Sequence, residues 1–183
     1  AMDKFTGEYV KKTFNERLGR YETYYIVEAY ENANTMLGFT KDADIEEFKK
    51  SVRDAEDKGV EFDWERHVKT WPSKAGDLYL IPAGTVHGTG GRQMILEMDT
   101  CPSNVGTEYS FFVYDFLRPS WDDDKKDFCG RKTRLQIDHG FAQARWNRRE
   151  DLVEKKFLAK PTVIRRGKGW SEDRYSSYGP MPF

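Results

Sequence analysis

Seven glycines and prolines fall between residues 72 and 91 (Pro72, Gly76, Pro82, Gly84, Gly88, Gly90 and Gly91), and no stretch between them exceeds five residues. Helices of globular proteins usually run about 8–20 residues, so none fits there. What fits are short strands joined by tight turns, which favour an antiparallel sandwich or barrel. Ala75-Gly76-Asp77 turns into Leu78-Tyr79-Leu80-Ile81, Pro82-Ala83-Gly84-Thr85 turns again before Val86-His87, and Gln93 to Met98 reads as the next strand.

The flanking sequence extends this pattern. Tyr21 to Tyr30 is dense in aromatic and β-branched residues and reads as a strand, Glu31 to Asn34 as a turn, and Thr35 to Thr40 as a returning strand. Phe62, Trp64 and His67-Val68 continue period two into Trp71-Pro72. Glu108 to Leu117 reads as a long strand, Trp121 to Asp127 as an acidic loop, and 156–166 as holding a further strand. Helices are few. The spacing of Tyr9, Val10, Phe14 and Leu18 predicts one over 8–18, stopped by Gly19. Asp44, with Glu47 three residues on, caps a second that buries Ile45, Phe48, Val52 and Ala55 and ends at Gly59. Asp138 to Trp146 suggests a third, and the tail from Ser171 carries no strong pattern. The expectation is a mainly β chain with a few short helices.

Composition narrows the class. The 183 residues suit one domain. Aromatics reach 15%, which a disordered chain would lack, and the core is expected to rest on Tyr, Trp and Phe. No apolar run is long enough for a membrane span, and the first residues have no secretory character. Two cysteines, Cys101 and Cys129, make neither a disulfide framework nor a metal knuckle, and suggest a reducing, cytoplasmic setting. Residues 1–127 hold 17 basic and 25 acidic side chains, whereas 128–183 hold 13 and 6. The basic part reads first as a solvated face or one that pairs with the acidic part. Nucleic-acid binding is the weaker reading, because overall charge is near zero and no signature motif accompanies it. A third reading is a field that draws a phosphorylated substrate.

Chemistry concentrates at His87, set at a strand start by two turns. Imidazole is a common ligand for zinc and similar metals. Taken alone, a single His reads first as a satisfied structural residue, and Glu22 as a solvent-facing carboxylate. His67, beside Val68 and two Trp, and His139 read as structural, and Gly88 to Gly91 lack the following helix of a phosphate cradle.

Gly76-Asp77-Leu78-Tyr79-Leu80-Ile81-Pro82-Ala83-Gly84-Thr85-Val86-His87 resembles the second motif of the cupin superfamily and, more narrowly, the class I mannose-6-phosphate isomerases. Gly19-Arg20-Tyr21-Glu22-Thr23-Tyr24-Tyr25 resembles an earlier segment of that family, Ala33 to Thr40 its next strand, and Met94 to Glu97 and Val113 to Phe116 its later strands, in family order. The resemblance implies an antiparallel β-sandwich or jelly roll. Residues 1–127 would form the core, with a helical insertion at about 41–59, and 128–183 would complete or flank it. It implies a divalent metal, usually zinc in that family, held by Glu22, His87 and two ligands of a Gln-x-His-Pro motif expected upstream of residue 1. It implies aldose–ketose interconversion of mannose 6-phosphate and fructose 6-phosphate, with Glu97 and Arg118 as catalytic candidates and Arg20 facing the substrate. Phe112 stands where the family carries an arginine credited with catalysis. That departure motivates the alternative, a cupin that binds a sugar or sugar phosphate without turning it over. Expected ligands upstream of residue 1 and an expected further strand after residue 183 suggest a piece of a longer isomerase-like protein. Nothing in the sequence sets an oligomeric state.

Overall fold

A computed structural model describes residues 4–16, 19–100, 110–115, 117–131 and 133–179. In chain order the elements are α1 (Lys4–Phe14), β1 (Glu22–Ala29), β2 (Asn34–Phe39), α2 (Ile45–Lys58), a 3₁₀ turn (Trp64–Arg66), β3 (Val68–Pro72), β4 (Leu78–Ile81), β5 (His87–Thr89) and β6 (Gln93–Asp99). Then follow β7 (Arg118–Asp122), β8 (Asp127–Arg131), α3 (Ile137–Gln143), α4 (Glu150–Lys156), β9 (Leu158–Ala159), β10 (Pro161–Gly167) and β11 (Trp170–Tyr175). Two sheets form the sandwich, one ordered β6-β1-β4-β9 and the other β3-β2-β5, and every strand pair is antiparallel. Two hairpins, β7-β8 and β10-β11, complete the strands. This is the antiparallel β-sandwich with a few short helices that the turn spacing called for. No helix among the described residues is long and apolar enough to cross a membrane.

Two apolar clusters hold the sheets together. One joins Tyr21, Tyr24, Ile26, Leu37, Tyr79 and Ile81 to Val153 of α4 and Phe157 at its C-terminal end. The other gathers Phe39, Phe62 and Val68 around α2. Phe48 is its centre, with the rings of Phe39, Phe62, His67, Phe141 and Trp146 all within 6.3 Å. Aromatic rings at such distances add attraction beyond the area they bury.

α2 follows its sequence signals closely. Asp44 accepts the N–H groups of Glu46 (2.9 Å) and Glu47 (3.0 Å), and Gly59 closes the helix with φ 66°, a left-handed conformation that costs little only without a Cβ.

Four expectations need correction. α1 begins and ends about four residues early, because Asn15 turns left-handed (φ 55°) and the N–H groups of Asn15 and Glu16 return to Lys11 and Val10. The described part of the expected strand 108–117 is not strand: the N–H and C=O of Phe112 both go to Gln136, while residues 108, 109 and 116 lie outside the described residues. Trp121 to Asp127 is no plain loop. Its ends belong to β7 and β8, and Asp122 Oδ1 takes the N–H groups of Asp124 and Lys125 in a tight Asx turn. The tail does carry structure, since Trp170–Tyr175 pairs with β10. α4 was not anticipated at all.

Candidate functional site

Antiparallel register brings the site together. Along β1, Glu22, Tyr24 and Ile26 share one face because strand side chains alternate. Directly opposed residues lie side by side, so β6 adds Asp99 beside Glu22 and Glu97 beside Tyr24, and β4 adds Ile81 and Tyr79. His87 enters from the other sheet, at the start of β5, opposite Leu37 of β2.

Glu22 and His87 meet across the sandwich. His87 Nε2 lies 2.9 Å from Glu22 Oε2, and Nδ1 lies 2.8 Å from the carbonyl oxygen of Thr85. A carbonyl can only accept, so Nδ1 carries a proton and donates it. That leaves Nε2 as the nitrogen that faces Glu22 and the interior. The ring of Tyr24 packs edge-on to His87 at 5.9 Å.

Arg20 ties the carboxylates together. Its Nε bonds Glu22, and its Nη2 reaches Glu97 at 2.9 Å and Asp99 at 2.8 Å. Three carboxylates therefore surround one guanidinium, and the cluster carries surplus negative charge even when His87 is protonated.

The titration of these groups follows from the arrangement. Burial alone pushes Glu22 up, since it is 5% exposed. Hydrogen bonding and charge from His87 and Arg20 overcome this and hold its carboxyl at about 2. Burial pushes His87 down, but the facing Glu22 outweighs it and raises the imidazole above its ordinary value. Burial, with the charge of Glu22, raises Glu97, which Arg20 offsets in part. Burial followed by the charges of Glu22 and Glu97 raises the Tyr24 phenol, which stays protonated.

The structure thus unites Glu22, His87, Arg20 and Glu97. Arg118 stands apart: it opens β7, in a two-stranded sheet with no hydrogen-bonded strand in common with the sandwich, and the placement of its side chain lies outside the description. Of the other histidines, His67 is buried, stacked on Phe62. His139 sits in the first turn of α3 with its Nδ1 2.7 Å from the Tyr9 hydroxyl. Sequence reasoning missed Asp99, although period two from Glu97 pointed to it. It also missed Arg148 and Thr85, whose contacts span more than 60 residues.

Donor chemistry bears on a metal. Glu22 offers a carboxylate oxygen and His87 a neutral-capable nitrogen whose partner nitrogen is fixed by a carbonyl, the arrangement that usually orients a ligating imidazole. Both types suit zinc and similar divalent ions. They number two, and among the described residues no group of three or more His, Cys, Asp or Glu side chains converges on a cation position.

The chain is 32% identical over 121 residues to the mannose-6-phosphate isomerase of Streptococcus mutans, a match that covers 66% of this chain and 32% of that protein. It is 27% identical over 130 residues to a mannose-6-phosphate isomerase of Bacillus subtilis, covering 71% and 35%. The chain resembles the mannose-6-phosphate isomerases. The fold agrees: the crystal structure of a mannose 6-phosphate isomerase from Bacillus subtilis superposes with a TM-score of 0.62 at 22% identity, covering 94% of this chain and 46% of that one. The chain spans about a third of the length of these curated isomerases and under half of the solved one. No family model matches it.

Proposed function

We propose that the chain carries part of a metal-dependent sugar-phosphate isomerase site of the mannose-6-phosphate isomerase type, which interconverts mannose 6-phosphate and fructose 6-phosphate in the cytoplasm. The observation that carries the proposal is the Glu22–His87 pair, 2.9 Å apart across the sandwich with Nδ1 fixed on Thr85. In this reading Glu22 and His87 hold a divalent ion, zinc being the first choice for a carboxylate and an imidazole. When bound, such an ion polarises the carbonyl and the adjacent hydroxyl oxygen of a sugar. The surplus negative charge around Arg20 favours a cation over a free phosphate at this point. We further read residues 1–127 as the site-bearing core and 128–183 as its flank.

Glu97 is the proposed proton carrier. Its carboxylate takes the proton from the hydroxyl-bearing carbon beside the aldehyde and returns it to the former aldehyde carbon, while the hydroxyl proton passes to the aldehyde oxygen. A carboxyl raised by burial and by Glu22 is better matched to this exchange than an ordinary one. Glu97 is the more open carboxylate, 38% exposed against 7% for the Glu22 side chain, so substrate reaches it more easily. Arg20 fixes its direction and meets the sugar oxygens beside it. Arg118 remains the candidate for the cation that the family places where Phe112 stands.

Phe112 supports a second reading, a cupin that binds a sugar phosphate without turnover: the ring is 41% exposed and brings no charge. The test is interconversion of the two sugar phosphates by purified chain with zinc, alongside thermal unfolding with each sugar phosphate. Turnover that falls at least tenfold in Glu97→Gln supports the isomerase. Stabilisation without turnover supports the second reading, and neither effect refutes both for this chain.

A further inference from the structure

We propose that Arg148 is a positioning residue for His87, acting through the turn Pro82–Thr85. The proposal rests on the reading of Glu22 and His87 as the metal-holding pair, and it adds a residue more than 60 positions away in sequence.

Arg148 is 3% exposed, and an arginine is almost never so buried without dedicated acceptors. Its Nη1 reaches the carbonyl oxygens of Pro82 (2.6 Å) and Ala83 (2.7 Å) and the hydroxyl oxygen of Thr85. The guanidinium lies over the ring of Phe157, 5.6 Å from its centre. Its own backbone is anchored on the other side, where its carbonyl accepts the N–H of Phe39 at 2.9 Å. Three residues earlier, the N–H of Arg145 bonds the carbonyl of Gly84 at 2.8 Å. Every residue of the turn is therefore held by this one segment.

Direction passes from the turn to the imidazole through Thr85. The Thr85 hydroxyl accepts from Arg148 and donates to the Pro82 carbonyl at 2.5 Å, which leaves its rotamer no freedom. The Thr85 backbone carbonyl then takes His87 Nδ1–H at 2.8 Å. That bond decides which ring nitrogen is left to face Glu22. A turn of four residues with only its internal bonds would fray, and with it the carbonyl that orients His87. An arginine is suited to this task because its guanidinium keeps its charge when buried, whereas a buried lysine readily loses its own.

The test uses the full chain labelled with ¹⁵N-histidine, where three histidines give few signals and His87→Gln assigns the one of interest. Wild type is expected to show a protected His87 Nδ1–H resonance in metal-free protein. Arg148→Met is expected to lose that protection and to weaken zinc binding, read by chelator competition, by about 10–100-fold, the usual effect of removing an orienting partner. Arg148→Lys should recover part of both. Should Arg148→Met fail to fold, Thr85→Val, which keeps the shape of the turn but removes the bridging oxygen, replaces it with the same two readouts. A folded Arg148→Met or Thr85→Val that keeps both the protected resonance and the zinc affinity overturns the proposal. Wild type that binds no zinc overturns the metal reading instead, while the Nδ1–H resonance still decides the role of Arg148.

Discussion

Replacing Glu22 with Gln removes a charge from the centre of the site at nearly constant volume. Its carboxyl stands at about 2 in the folded chain against an ordinary 4.5. At about 1.4 kcal/mol per pH unit, that difference is worth roughly 3 kcal/mol of preference for the ionised form. The amide still accepts one bond from Arg20, so the loss at pH 6 lies between about 1.5 kcal/mol, one charge-assisted bond, and that roughly 3 kcal/mol. The assay is urea unfolding with chelator present, so that no cation masks the ion pair. With a slope of about 2 kcal/mol per molar urea, the midpoint should fall by about 1 M. The sign of the pH dependence is fixed. A carboxyl lowered by folding stabilises above its unfolded value and loses that effect as pH falls through its folded value. The gap between wild type and Glu22→Gln should therefore be full above pH 4.5 and less than about half at pH 3. Equal midpoints at pH 6, or a gap unchanged at pH 3, refutes the assignment of Glu22 as the ion-paired centre.

Other consequences are as direct. His87 is raised by Glu22, so its contribution is complete below 6.5 and is lost as pH rises through its folded value; in chelated protein the gap between wild type and His87→Gln should narrow from pH 6 to pH 9 by urea unfolding. Gly38→Ala places a Cβ at φ 76°, 2.5 Å from Val153 Cγ2 and 2.9 Å from the Arg148 carbonyl oxygen, and should cost about 2 kcal/mol or more by the same assay. Phe48→Ala removes the ring at the centre of the second cluster, 1% exposed, and should cost about 3–5 kcal/mol.

How far the sequence reaches depends on the range of each signal. β1, β2, β4 and β6 were legible because Gly, Pro and Asn turns bracket aromatic and β-branched runs, and α2 because Asp44 and Gly59 mark its ends. α1 slipped because Asn15 took the left-handed position that the reading assigned to Gly19. α4 was hidden inside a stretch read only for its charge, yet Glu150 and Asp151 in its first turn and Lys155 and Lys156 in its last follow the helix dipole. The β10-β11 hairpin was missed although Gly167-Lys168-Gly169 marks its turn, at Gly169 with φ 78°. At the site, the resemblance paired Glu22 with His87, while Asp99 went unread although strand alternation from Glu97 pointed to it. Arg148 and Thr85 were out of reach, because no local pattern says which buried turn an arginine 60 residues away will hold.

The central claim is that Glu22 and His87 together hold a divalent cation. Its most direct test is competitive titration of zinc into the purified chain and into Glu22→Gln and His87→Ala. The account predicts one zinc per chain in wild type and at least tenfold weaker binding in each variant. Wild type that takes up no zinc, or variants that bind it as tightly, contradicts it.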